Sequence, residues 1–188
     1  TAGAKGVPET SKSVESTEAR EVRAACAGDR VAFQSLYARY HGAVRSVVLA
    51  QVGWQDADDL TQDVFLVAWQ RLEQLRNPAR FGPWLLQCAR NRCRDHHRRK
   101  RPTAPLSPAD HARVTMPPRA EALEVLEAIQ RLAPSYRETL VMRLVEGMSG
   151  PEIAARTGLT PRSVRVNLHR GFTKLREALA DHGQGGER

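Results

Sequence analysis

The sequence predicts an all-α fold in two small helical domains joined by a proline-rich linker. Two observations carry this: apolar residues recur at three- and four-residue steps on both sides of the linker, and no stretch sustains period-two alternation. A third is the clustering of Pro102, Pro105, Pro108, Pro117 and Pro118, five of eleven prolines, within residues 102–118. Each removes a backbone donor and pushes its predecessor out of the α region.

Residues 1–17 are rich in Ser, Thr, Glu and Gly, bury too little surface to offset ordering entropy, and are expected to be a disordered tail. A first domain is expected over 18–101. One apolar stripe runs through Phe33, Leu36, Tyr37, Tyr40, Val44, Val47 and Val48; a second through Leu60, Val64, Val67, Ala68, Leu72 and Leu75; a third through Phe81, Trp84, Leu85, Cys88 and Ala89. The spacing of Phe81 and Trp84 favours core over base-stacking roles. Between the last two stripes, Leu75 to Arg80 breaks the periodicity and must loop. The linker of 17 residues, at about 3.1 Å each in a polyproline-like form, reaches ~50 Å. Periodicity resumes at Leu123, Leu126, Ile129 and Leu132, is interrupted at Pro134, and continues through Leu140, Val141, Leu144 and Val145 to Gly147. This second domain, 119–180, is small enough to be marginally stable alone; 181–188 are expected to be a second disordered tail.

Charge narrows the partners. With 29 Lys plus Arg against 21 Asp plus Glu, net +8, the chain favours a polyanion, and its basic residues are mostly Arg, suited to phosphate and guanine. Aromatic content of 5% counts against a single-strand stacking platform. Cys26, Cys88 and Cys93 lack zinc-ligand spacing and fit a reducing compartment. No apolar run spans a membrane and no signal peptide is visible, so a soluble, cytoplasmic chain without membrane insertion is expected, with no metal or other cofactor and no catalytic residue.

The sharpest local signal lies between Met148 and Leu179. Ser149 with Glu152 three residues on is a capping box starting a short helix, Gly158 supplies a left-handed stop, Thr160 caps the next helix, and Pro161 takes its first position. This is a helix-turn-helix, whose second helix enters the major groove N-terminus first. Val164, Leu168, Phe172 and Leu175 form its apolar face, leaving Arg162, Arg165, Val166, His169 and Arg170 outward. Arg162 and Arg165 suit guanine edges and Val166 a thymine methyl. The bland alternative is a solvated helix face, and His169 fits a phosphate contact or a plain surface position equally.

Upstream, D-A-D-D-L-T-Q-D (56–63) opens a helix on four carboxylates. Asp56 can cap and acids complement the positive helix end, which is one account. Asp59 and Asp63, however, repeat at i, i+4 on one exposed face, where like charges repel, and this points to a basic partner surface. Further on, Arg90, Arg92, Arg94, Arg98, Arg99, Lys100 and Arg101 crowd a helix end against Asp95, a nucleic-acid footprint or, at its end, a solvated tail.

Three stretches then carry a resemblance: D-A-D-D-L-T-Q-D-V-F-L-V-A-W at 56–69, F-G-P-W-L-L-Q-C-A-R-N-R-C-R-D at 81–95, and L-V-E-G-M-S-G-P-E-I-A-A-R-T-G-L-T-P-R-S-V-R-V-N-L-H-R-G at 144–171. The chain resembles the extracytoplasmic-function (ECF) class of the sigma-70 family. The resemblance implies sigma regions 2 and 4 with no region 1.1 or 3 between them, core RNA polymerase (its β′ clamp helices and β flap) and promoter DNA as partners, and an anti-sigma protein that holds the factor inactive. It also implies a stress or envelope response. Asp56, Asp59, Gln62 and Asp63 match the segment that grips β′. Asn91 matches a position that helps hold a flipped promoter base, Leu75, Arg76, Asn77 and Arg80 belong to the loop that forms its pocket, and Arg92, Arg94 and Arg98 lie on the same basic helix at the −10 element. Arg162, Ser163, Arg165, Val166, His169 and Arg170 fall on the −35 reader. Two departures stand out: Arg162 and Ser163 replace the usual Gly-Thr pair, and Asp63 replaces the usual Glu. Against this reading stands a self-sufficient helix-turn-helix regulator, which leaves the acidic and Arg-rich helices without roles. A recombinase-like enzyme lacks a Ser or Tyr nucleophile among basic partners and a carboxylate cluster placed for a metal.

Overall fold

The computed structural model describes residues 16–100 and 120–185, with the backbone alone at 100 and 181–185. Eight α-helices and two 3-10 turns make up the described residues, with no strand among them. The proposed linker, 102–118, and most of both proposed tails lie outside these residues. Where described, residues in the expected tail ranges belong to helices or their caps. Ser16 caps helix α1 (Thr17–Cys26) by accepting from the Ala19 N–H at 3.2 Å, and α8 continues as far as Gly185.

Helix α2 (Arg30–Val52) starts at Asp29, whose carboxylate accepts from the N–H groups of Val31 and Ala32, and stops at Gly53 in the positive-φ region at 85°. Helix α3 (Ala57–Arg71) carries the acidic run. The predicted loop is two 3-10 turns, Leu72–Gln74 and Pro78–Arg80, the second capped by Asn77 accepting from the Ala79 N–H at 3.0 Å. Helix α4 (Phe81–Lys100) is the Arg-rich helix. The break at Pro134 separates α5 (Ala120–Gln130) from α6 (Pro134–Leu144), and Pro134 opens α6 at a position where its missing N–H costs nothing. Helices α7 (Gly150–Thr157) and α8 (Pro161–Gly185) complete the chain.

Helix α2 is the axis of the molecule. It packs against α1, α3 and α4 from its own half and against α5, α6 and α7 from the other. Ala43, Val44, Ser46, Val47, Val48, Leu49 and Ala50 are all buried, and a helix segment apolar nearly all round must be covered from more than one side. The second half packs on the first through α2. Leu126, Ile129, Leu140, Met142 and Ile153 join one continuous core with Leu36, Tyr40, Phe81 and Leu85. Phe81 is fully buried with its ring edge-on to Tyr40, while Trp84 is half-buried at the core margin.

Candidate nucleic-acid and partner interfaces

The helix-turn-helix is built by local capping. The Ser149 hydroxyl oxygen accepts from the Glu152 N–H at 3.4 Å, and the Glu152 carboxylate accepts from the Ser149 N–H at 2.7 Å and the Ser149 hydroxyl at 2.6 Å. Those bonds from Ser149 hold the Glu152 carboxyl below the usual carboxylate range. Gly158 at φ 73° ends α7, and the Thr160 hydroxyl oxygen accepts from the Ser163 N–H at 3.1 Å to start α8. Val164, Leu168, Phe172 and Leu175 face inward as the spacing predicts. Gly171, unremarked in the sequence, is buried where α8 crosses α6: a Cβ there would lie 3.1 Å from Leu140 Cδ1, so the Leu140 side chain packs directly on the α8 backbone.

Arg162, Arg165, Val166, His169 and Arg170 are exposed along the outer side of α8. Ser163 differs. It is half-buried and its hydroxyl lies 2.8 Å from that of Thr160, so it belongs to the cap as much as to the outer face.

The acidic run of α3 departs from expectation in two ways. Asp56 makes no side-chain cap bond; its carboxylate lies 3.3 Å from His96 Nε2 of α4, which packs alongside α3. Asp63 is not left to repel Asp59, since its carboxylate accepts from Arg92 at 2.6 Å. Asp58 accepts from Arg45 at 2.9 Å. Asp59 and Gln62 remain exposed, with Asp63 half-exposed beside them.

Next to these polar residues opens an apolar groove of about 480 Å³ between α2 and α3, lined by Phe33, Tyr37, Gln62, Phe65, Leu66 and Trp69 with Arg30 at its margin. Phe33 and Trp69 rings lie 4.7 Å apart, and Leu66 is 61% exposed. The sequence reading missed it. Its available signal was Leu66, an apolar residue one turn on from Gln62 on the face that also carries the acids.

The basic helix is less free than its composition. Arg90 donates two bonds to Glu138 of α6, at 2.9 and 2.6 Å, and is thereby removed from any footprint. Arg92 is held by Asp63, and Arg98 donates to Asp95 at 3.0 Å. The exposed Asn91 accepts from Gln87 at 3.0 Å and from Arg94 at 3.2 Å, a short polar row. In the preceding turn Arg76, Asn77 and Arg80 are exposed, whereas Leu75 is half-buried against the core.

Sigma-70 region 2 matches residues 36–103 and Sigma-70 region 4 matches residues 122–175. RNA polymerase sigma factor CarQ of Myxococcus xanthus is 34% identical over 162 residues, covering 82% of this chain and 92% of that protein. The chain belongs to the sigma-70 family. ECF RNA polymerase sigma factor SigM of Mycobacterium tuberculosis is 30% identical over 168 residues, covering 88% of this chain and 86% of the relative. Among solved structures, that of CnrH in complex with the cytosolic domain of CnrY matches with a TM-score of 0.58 and 30% identity, over 88% of this chain and 97% of that one. This sigma factor is of the ECF class and directs promoter-specific transcription initiation. The stand-alone regulator reading fails at α3 and α4, which the region 2 match includes.

Proposed function

We propose that the sigma factor docks on core RNA polymerase through the outer face of α3, reads the −35 element with the outer face of α8, and captures unstacked non-template bases at −10 with the turn before α4 and α4 itself. The observation that carries this is the pairing, on α3, of exposed Asp59 and Gln62 with an open apolar groove. A surface with acids beside an aromatic-lined groove fits a basic, amphipathic helical partner such as the β′ clamp helices, and a DNA backbone would be repelled from it. Asp56 and Asp63 then act within the same face while bound to His96 and Arg92. Region 2 corresponds to about 18–101 and region 4 to 119–180, the latter also meeting the β flap.

On DNA, Arg162, Arg165, Val166, His169 and Arg170 face the −35 major groove, with Ser163 fixing the start of α8 through Thr160. At −10, Leu75, Arg76, Asn77 and Arg80 frame the pocket, and Asn91, Arg92, Arg94 and Arg98 supply polar and cationic contacts. Unstacking a base costs a few kcal/mol, which these contacts and phosphate neutralisation offset. The work is binding and strand separation without a covalent step. An anti-sigma protein would compete for the α3 face.

Charge reversal at Asp59 and Asp63 tests the docking face. The Asp63–Arg92 pair is 43% exposed on its acidic side, so its loss changes folding stability by under about 1 kcal/mol. Core affinity should fall by at least about tenfold, since close interfacial charge pairs couple by ~1.5 kcal/mol or more, while binding of the full chain to duplex DNA persists. Unchanged core affinity would place the docking face elsewhere.

A further inference from the structure

Most of α4 is already committed. Leu85, Leu86, Ala89 and Cys93 are buried in the core, while the flanking cations are turned aside, Arg90 to Glu138 and Arg92 to Asp63. Between Phe81 and Asp95 the exposed residues are Gln87, Asn91 and Arg94. They follow one another at steps of four and three residues and so form a single stripe along the helix. Extended backwards at the same spacing, the stripe passes through half-buried Trp84 to exposed Arg80 in the turn before α4. Gln87 therefore lies on the track between that turn and Asn91, although nothing in its charge marks it as part of the basic run.

The three side chains are bonded to one another. Asn91 Oδ1 accepts from Gln87 Nε2 at 3.0 Å and from Arg94 Nη1 at 3.2 Å. A guanidinium can only donate, so Arg94 fixes which end of the Asn91 amide is its oxygen. That oxygen has two lone pairs, and both are used. The Nδ2 group, with its two donors, has no partner among the described residues.

A lone Gln–Asn pair at i, i+4 would be ordinary support for an exposed helix. Two donors converging on one oxygen, from one turn before and one turn after, do more. Turning the carboxamide over would set N–H against N–H on both sides, so the amide is held in one orientation.

We propose that Gln87 is a specificity-determining positioning residue of the −10 site: with Arg94 it directs the Asn91 amide nitrogen outward, so that the unstacked base is selected for an acceptor at that point, a carbonyl oxygen or an unprotonated ring nitrogen. The inference rests on the −10 role assigned to Asn91 above. A freely turning asparagine offers donor or acceptor alike and discriminates poorly. A fixed one rejects a base that presents its own N–H there, because two donors would face each other with neither paired. Gln87 achieves this without touching DNA.

Selection of −10 sequences from a randomised pool by holoenzyme, made from the full chain and core polymerase, tests the assignment. Gln87 is exposed and alanine is a better helix former, so Gln87→Ala should leave the melting temperature, core binding and −35 selection unchanged. It should relax the preference at one −10 position by about three- to tenfold, the range expected for one hydrogen bond. Asn91→Ala should relax the same position, and the double variant should be no more relaxed than Asn91→Ala alone, as when one residue acts through another. Asn91→Asp keeps an oxygen toward Gln87 and Arg94 but exchanges the outward donor for an acceptor, and should change which base is selected there; retention of the original base overturns the donor assignment. If Asn91→Ala relaxes the preference and Gln87→Ala does not, the inference fails and the −10 reading stands. Additive relaxation in the double variant also overturns it, since Gln87 would then contact DNA itself. If Asn91→Ala too leaves selection unchanged, the −10 reading and the inference fall together.

Discussion

Replacing Arg165 by alanine removes one guanidinium from the outer face of α8, just over one turn after its start at Pro161. The side chain is exposed, and alanine is at least as good a helix former as arginine. The substitution should therefore leave stability within about 0.5 kcal/mol of wild type. A bidentate contact to guanine, by contrast, discriminates by about 1–3 kcal/mol, or roughly 5- to 150-fold at one base pair. Stability and recognition thus separate cleanly at this residue. Holoenzyme reconstituted with either protein can be used to select −35 sequences from a randomised pool, with thermal melting followed in parallel. The expected result is an unchanged melting temperature and lost preference at one position of the selected element, the others being retained. Uniform weakening across all sequences, with the salt slope reduced by about one, would show that Arg165 contacts phosphate and would refute the base-reading role.

Other expectations follow from the same geometry. Ser149→Ala should lower stability by about 0.5–2 kcal/mol in urea melts, and no change would contradict the capping account. Because the Glu152 carboxyl titrates below its ordinary 4.5, its share of the cap is present above that pH and lost as pH falls through the folded value; the Ser149→Ala penalty should shrink in acid accordingly. Leu66→Asp should leave folding within about 0.5 kcal/mol yet weaken core binding by about tenfold or more, as measured by titration with labelled core; undiminished binding would remove the groove from the docking face. Burial, reinforced by Glu138, pushes the Cys93 thiol up to about 12 from 9.0. Its neutral form is favoured by folding, so that contribution is complete below pH 9 and disappears as pH rises toward 12. Urea midpoints measured across that window should fall less steeply for Cys93→Ala than for wild type.

The helix-turn-helix was readable almost atom by atom, because capping boxes, left-handed glycines and N-terminal prolines are local devices: Ser149, Glu152, Gly158, Thr160 and Pro161 each act on backbone within four residues. The all-α class was legible for a similar reason, through apolar periodicity. Partners distant in sequence were not. Nothing near Asp56 announces that His96 will take its carboxylate, and Arg90 reads as one more member of a basic run until Glu138 of α6 is seen to hold it. The joining of the two halves was also out of reach, although the buried run from Ala43 to Ala50 contained a hint: it has more apolar surface than one flank of a small bundle can cover. The groove beside Leu66 requires knowing which face of α3 points outward, which a single apolar residue among acids does not settle.

A sigma factor acting as proposed gives core RNA polymerase its promoter specificity with no other specificity subunit. Purified core enzyme, this protein and genomic DNA fragments, with no other sigma factor, provide the test, read by sequencing the transcripts formed. Transcripts with discrete start sites sharing elements near −10 and −35, absent when the protein is omitted, are the expected result. Initiation at random positions, or only after a second sigma factor is added, would contradict it.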